Sequence, residues 1–248
     1  MIDWFTNDQI ADILSGTIVT IWLTILTSLT SLVVGIVAAL GRSGHRRAIR
    51  RLAAWFVELF RNVPALVLLI FFAFAVPNLF DSSIRRSLFF DNFLVDAFGA
   101  LTAIPVPYYG LAAIVALTAN TGAHLAEIIR SGISAIPAER VEAARSLGAS
   151  SFVVHRTVTV PDAVRVAFPG ITNRLIHNLK NTALVGFVAV PDAFSELQAI
   201  ITRTFEATQT LIFAAILYLA LATMFEFGLR RVEAKLWRGR PVHRAIDV

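Results

Sequence analysis

The chain has 248 residues, 56% of them hydrophobic and only 16% charged, where a soluble domain carries roughly a quarter charged residues. It holds no cysteine, which excludes disulfides, cysteine-ligated zinc and thiol nucleophiles. The pI of about 10.4 is compatible with nucleic acid, but the arginines fall in loops between long apolar runs, where membrane topology puts them.

In chain order, the first sixteen residues hold Asp3, Asp8 and Asp12 and no Lys or Arg, the opposite of a signal-peptide n-region. The first apolar run, 17–40, is free of charge and long enough to span a bilayer that needs ~20 apolar residues. Along it Thr17, Thr20, Thr24, Thr27, Ser28 and Ser31 recur at three- and four-residue steps, which places small hydroxyls on one helical face as a packing seam. Residues 41–51 follow with five arginines and no acid. A second run, 52–80, is amphipathic up to Glu58, Arg61 and Asn62 and apolar after Pro64. The apolar piece 93–106 is short and contains Asp96, so it reads as an external loop or interfacial helix. Residues 108–129 form the third span, 163–190 a weakly apolar fourth broken by Pro169-Gly170, and 211–229 the fifth. The tail from Arg230 is basic.

Five spans put the termini on opposite sides. Basic residues concentrate in 41–51, in 130–165 and in the tail, whereas 81–107 carries Arg85 and Arg86 and 191–209 only Arg203. The positive-inside rule then places the N-terminus outside and the C-terminus in the cytoplasm, in one multi-pass domain over 1–248.

Ionisable groups within spans are costly and face a bundle interior or a wet cavity. Asn120, His124 and Glu127 share one stripe of the third span, and Arg174, His177, Asn178 and Asn181 one stripe of the fourth, with Lys180 about 120° away from Arg174. Glu58, Arg61 and Asn62 share a face of the second. Glu58 with Arg61, and Glu127 with Arg130, can equally be intrahelical pairs.

The loop 131–161 is the most informative segment. Glu142-Ala143-Ala144 is followed three residues later by Gly148, and nine more residues lead to Val158, Val160 and Pro161. The pattern predicts a short helix over 141–147 stopped by Gly148 in a left-handed cap. A second helix, capped by Ser150 or Ser151, stops before Pro161. This spacing resembles the EAA loop, EAA-x3-G-x9-I-x-LP, of ATP-binding-cassette (ABC) importer permeases. Glu58, Phe60, Arg61, Asn62, Val63 and Pro64 resemble the E-x-F-R-[GN]-[TV]-P motif of the polar-amino-acid branch. Gly122-Ala123-His124 with Glu127 and Arg130 is similar to G-A-Y-x-A-E-x-x-R, and Lys180-Asn181-Thr182-Ala183-Leu184 to K-D-T-S-L. The departures are Glu139-Arg140 for the usual Gly-Gln, His124 for Tyr, and Asn181 for Asp.

The resemblance implies an all-α integral membrane protein with type I importer permease architecture in a prokaryotic plasma (inner) membrane. It implies that Glu142, Ala143, Ala144, Leu147 and Gly148 form a coupling surface for a separate ATPase, and that Glu127, Arg61, His124, Arg174, Asn181 and Thr182 contribute to substrate binding. Arg61 or Arg174 suits a carboxylate through a bidentate fork, and Glu127 suits an ammonium. Implied partners are two ATPase copies, a second permease chain, identical or homologous, and an extracytoplasmic substrate-binding protein. The chain itself needs no cofactor, since ATP and Mg belong to the partner; it has no G-x-x-x-x-G-K-[ST] loop. The cationic fourth span leans the cargo toward glutamate, aspartate or their amides.

Two other classes compete. A self-sufficient secondary transporter or channel accounts for the buried charges but not for the loop spacing, and no internal repeat is visible. A membrane enzyme needs a constellation around His124 or His177, and no HExxH or Ser-centred motif accompanies them.

Overall fold

The computed structural model describes residues 4–44, 46–102, 104 and 106–236, and these are helices and connecting turns without a strand. Asp3, His45 and the basic tail beyond 236, with His243, lie outside the described residues. The first helix, α1 (Asn7–Ser43), opens on a capping box in which the Thr6 hydroxyl accepts from Gln9 N–H and the Gln9 side chain accepts from Thr6 N–H. At ~1.5 Å per residue its 37 residues reach about 55 Å, well beyond the ~30 Å hydrocarbon core. Its predicted small-residue face is buried: Thr20, Thr24, Thr27, Ser28 and Ser31 are at most 5% exposed. The hydroxyls of Thr24, Thr27 and Thr30 donate back to carbonyls one turn earlier, so these groups bring no unpaired donor into the packed face.

The second apolar run is not one straight span. Helix α2 (Arg47–Asn62) and helix α3 (Ala65–Asn78) meet at a 107° bend. Pro64 has no N–H to continue the ladder, and Val63 before it is extended. The carbonyls this break strands are taken up by the next long helix, α4 (Pro107–Ser134): Asn120 Nδ2 donates to Phe60 O at 2.9 Å and Val63 O at 3.3 Å. Between α3 and α4 the chain makes short helical turns over 82–90 and a helix at Phe93–Thr102. Val95 and Ile104 pack with Tyr108, Leu68 and Leu69 in the largest apolar cluster.

The next helix, α5 (Ala138–Ser146), ends as the sequence predicts. Gly148 has φ +82°, Gly148 N–H donates to Arg145 O and Ala149 N–H to Ala144 O. This is the paired arrangement of a Schellman cap. Ser150 then caps a second helix through Val153 N–H, but that helix does not stop before Pro161. It runs unbroken as α6 (151–182), because a π-turn over 155–159 closes on Val160 N–H to His155 O just ahead of the proline that has no N–H to give.

The predicted fourth span, 163–190, ends as a helix at Thr182; 185–188 form a tight 3-10 turn and Ala189 is left-handed at φ 58°. The predicted loop 191–209 holds a helix, α7 (Ala193–Thr204), whose Leu197 and Ile200 pack with Ile13 of α1. Its amphipathic period was hidden by the short length and by Glu196 and Arg203. The last helix, α8 (Ala207–Leu236), shows Leu211, Ile216, Leu219 and Phe227 outward.

Among the described residues α1, α4 and α8 are long and apolar enough to cross a membrane, and α2 with α3 makes a fourth if the bent pair is one span. Helix α6 is long enough, but Asp162, Arg165, Arg174 and Lys180 dilute its hydropathy.

Candidate functional site

A polar chain runs through the bundle where α1, α2, α4 and α6 meet. Arg174 on α6 donates from Nη2 to Asn120 Oδ1 at 2.5 Å and approaches Thr121 Oγ1 at 3.4 Å. The Thr121 hydroxyl donates to Asn178 Oδ1 at 2.9 Å, and Asn178 Nδ2 donates to Thr27 Oγ1 at 2.8 Å and Ser28 Oγ at 3.3 Å. Asn120, Thr121 and Asn178 are buried. Each such bond contributes only about 0.5–1.5 kcal/mol, but an unmet donor in apolar surroundings costs more, so the set fixes the register of three helices.

This run of hydrogen-bonded side chains contains no carboxylate. Arg174 has the His177 Nδ1 at 3.3 Å as a further neighbour, its Nε is buried without a partner, and no acid pairs with it among the described residues. His124 lies in the electrostatic reach of Arg174, Arg61 and His177, so three of the predicted residues share one neighbourhood. Arg61 bonds Glu58 at 3.3 Å as an i,i+3 pair, and Asn62 donates to the same carboxylate.

Glu127 also lies in the electrostatic reach of Arg61, but two other arginines hold it. Its carboxylate receives Arg42 at the end of α1 at 2.5 Å and Arg130 one turn on at 2.5 Å, so it ties α1 to α4. Arg42 carried no signal beyond its place in a basic loop. Asn181 is half-buried near the end of α6, and Lys180 faces outward.

Thr182 belongs to a second buried cluster that sequence reasoning missed. Asp192 is fully buried: Oδ1 accepts from Ser195 N–H at 3.0 Å, capping α7, and Oδ2 accepts from the Tyr218 hydroxyl of α8 at 2.9 Å. Thr20 and Thr182 lie beside the same tyrosine, Thr20 accepting from Ala193 N–H at 3.0 Å and the Thr182 hydroxyl donating to Leu179 O at 2.7 Å. Burial pushes the Asp192 carboxyl above the usual carboxylate range, and the Ser195 and Tyr218 donors only partly offset it. Gly16 of α1 admits this cluster closely, since a Cβ there would meet Asp192 O at 2.8 Å. The signal available was the Asp-x-x-Ser spacing of an N-cap at 192–195.

At the other end of α6, the helix bearing Glu142, Ala143 and Ala144 is largely exposed, Leu147 is 90% exposed and Phe152 71%. Two large apolar side chains that exposed flank the Gly148 turn, the pattern of a contact surface rather than a core. Arg140 pairs with Asp162 at 2.6 Å and fastens α5 to α6. Among the described residues no three His, Asp or Glu side chains stand close enough to hold a metal ion together.

Residues 31–238 match the family described as the binding-protein-dependent transport system inner membrane component. The chain is 28% identical to a putative glutamine transport system permease protein of Rickettsia bellii over 93% of its own length and 95% of that protein. It is 29% identical to the L-cystine transport system permease protein of Bacillus subtilis, over 88% of this chain and 84% of that one. A crystal structure of an amino acid ABC transporter with histidines superposes with a TM-score of 0.72 at 26% identity, covering 91% of this chain and 94% of that one.

Proposed function

The chain belongs to the binding-protein-dependent transport system inner membrane component family, and from that premise we propose that it forms, with a second permease chain, the translocation pathway of an ATP-driven importer for a polar amino acid. The observation that carries the reading is the unbroken helix α6. One end adjoins the Gly148 turn and its exposed Leu147 and Phe152; the other carries Arg174 into the polar chain.

In this reading five spans cross the membrane, α6 included, with the N-terminus outside and the EAA loop in the cytoplasm. The charges of α6 then face the pathway rather than lipid. Two ATPase subunits close on binding ATP, the loop around Glu142–Gly148 follows them, and α6 passes the displacement to the Arg174 neighbourhood as a rigid lever. Hydrolysis belongs to those subunits, and an extracytoplasmic binding protein delivers the cargo.

Arg174, held by neutral groups with no acid beside it, is suited to the cargo's α-carboxylate, with Arg61 and His124 nearby and Asn181 on the same stripe. Relatives named for glutamine and cystine share the architecture with different cargos. Selection here rests on a cationic neighbourhood, which favours glutamate, aspartate or their amides over a basic amino acid. Arg174→Gln in the reconstituted importer should lower apparent affinity for the amino acid about tenfold or more, the scale of a lost charge-assisted bond. Uptake with unchanged KM and rate would remove Arg174 from the pathway.

A further inference from the structure

The start of α2 carries positive charge that nothing in the chain neutralises. Arg46, Arg47, Arg50 and Arg51 are exposed, and none of them forms an ion pair among the described residues. The nearest acids in sequence are Asp12 and Glu58, and Arg42, at the end of α1, is already taken by Glu127. Beside these arginines α2 turns an apolar strip outward: Leu52 is 71% exposed, Trp55 69% and Leu59 39%. At about 100° per residue the three fall within about 60° of arc, and Arg51 lies one turn before Trp55 on the same side.

The other side of α2 is the packed one, and its contacts set the depth of the segment. Val57 is buried with Ala38, Ala39 and Ala126, and a Cβ on Gly41 would meet the Ala53 side chain at 3.1 Å. Helix α2 therefore runs back along α1, with Ala53 level with Gly41, where the charge-free run 17–40 ends. Trp55 stands at the edge of the hydrocarbon, where indole rings anchor, and 46–51 reach beyond it to headgroup depth. A neutral lipid would cover the strip and leave four cations unmatched, whereas a soluble acidic partner would meet the cations and leave Leu52 and Trp55 uncovered. An anionic phospholipid satisfies both, with its phosphate on the guanidinium donors and its acyl chains on the strip.

We infer that Arg46, Arg47, Arg50 and Arg51, with Trp55, bind the headgroup of an anionic phospholipid whose acyl chains cover Leu52 and Leu59. The inference rests on the membrane orientation proposed above, which places this basic cluster in the cytoplasmic leaflet, where anionic lipid concentrates. Bound there, the lipid holds the turn between α1 and α2 at the membrane surface, beside the Arg42–Glu127 tie to α4.

The test uses the full chain with Trp4, Trp22 and Trp237 changed to Phe, so that Trp55 alone fluoresces. It is reconstituted in phosphatidylcholine vesicles carrying a small fraction of lipid brominated in its acyl chains, which quenches an indole on contact. Brominated phosphatidylglycerol should quench Trp55 at about one-fifth of the fraction that brominated phosphatidylcholine needs, or less, the effect of at least one basic residue near an anionic surface. Changing Arg46, Arg47, Arg50 and Arg51 together to Gln, at exposed positions without partners, should keep the quenching by phosphatidylcholine and erase the preference. High salt should weaken the preference of the unsubstituted arginines in the same direction. A companion chain that keeps only Trp22, on α1 and 37% exposed, should show no preference. Equal quenching of Trp55 by both lipids, a preference that survives both the four substitutions and high salt, or an equal preference at Trp22 would overturn the headgroup site. Quenching by neither lipid would overturn the placement of the strip in the bilayer, as would quenching lost only when copies of the chain associate. Co-purification of an ATPase subunit with the unsubstituted chain tests the importer reading by itself, so either can fail while the other stands.

Discussion

At the scale of single residues, the charged groups of the bundle divide by what they touch. Arg174 is held by neutral oxygens, while Glu127 is engaged by two arginines. Glu127→Gln should therefore act first on the fold: with Arg42 and Arg130 released, thermal stability in detergent should fall by about 1–3 kcal/mol. An unchanged melting curve with impaired uptake would return Glu127 to the substrate's ammonium. Asp192 yields a pH dependence. Its carboxyl holds a proton more tightly folded than unfolded, so its contribution is fully present below the ordinary carboxylate value of ~3.9 and is lost as pH rises through the raised one. Glu196, raised mainly by burial and further by Asp12, acts in the same direction. Melting temperature should fall with rising pH across that window, and Asp192→Asn should flatten the slope; an equally steep slope in the variant would contradict the assignment. The cap spacing at Asp192 could be read in the sequence, but its meeting with Tyr218 could not, because that depends on how the chain turns after Thr182, through the left-handed Ala189.

At the scale of elements, the EAA-spaced turn was legible as a helix stopped by Gly148 in a left-handed cap, and the structure adds the two hydrogen bonds that close it. The length of α6 was not. Pro161 reads as a stop, and only the π-turn at 155–159 lets the helix pass it. The bend at Val63-Pro64 was half legible: the proline announces a break, but the 107° angle is fixed by Asn120, sixty residues away. A Cβ at Gly148 would meet no atom within 4 Å, so a side chain there fits in space and suffers only from the positive φ. Gly148→Asp should leave protein levels near normal while the cap distorts, and substrate-stimulated ATPase of the reconstituted importer should collapse. Arg140→Ala, which frees α5 from Asp162, should weaken that coupling without abolishing it, because the Schellman turn remains. Full stimulation in both variants would separate this loop from the ATPase.

At the scale of the whole molecule, the long apolar runs of α1, α4 and α8 were legible from hydropathy alone, and the small-residue face of α1 correctly predicted a packed seam. Helix α6 is long enough to span, but Asp162, Arg165, Arg174 and Lys180 keep hydropathy from marking it; in the proposed pathway these charges face the interior rather than lipid. The central claim is that this chain works only with an ATPase docked on the Gly148 turn. The most direct measurement is a mild-detergent pull-down of the tagged chain from its native membrane, with every co-purifying protein identified. An ATP-binding-cassette subunit should appear in about one-to-one ratio with permease chains, and be lost when Gly148→Asp replaces the wild type. A chain that purifies alone and moves its solute in liposomes without ATP would contradict that claim.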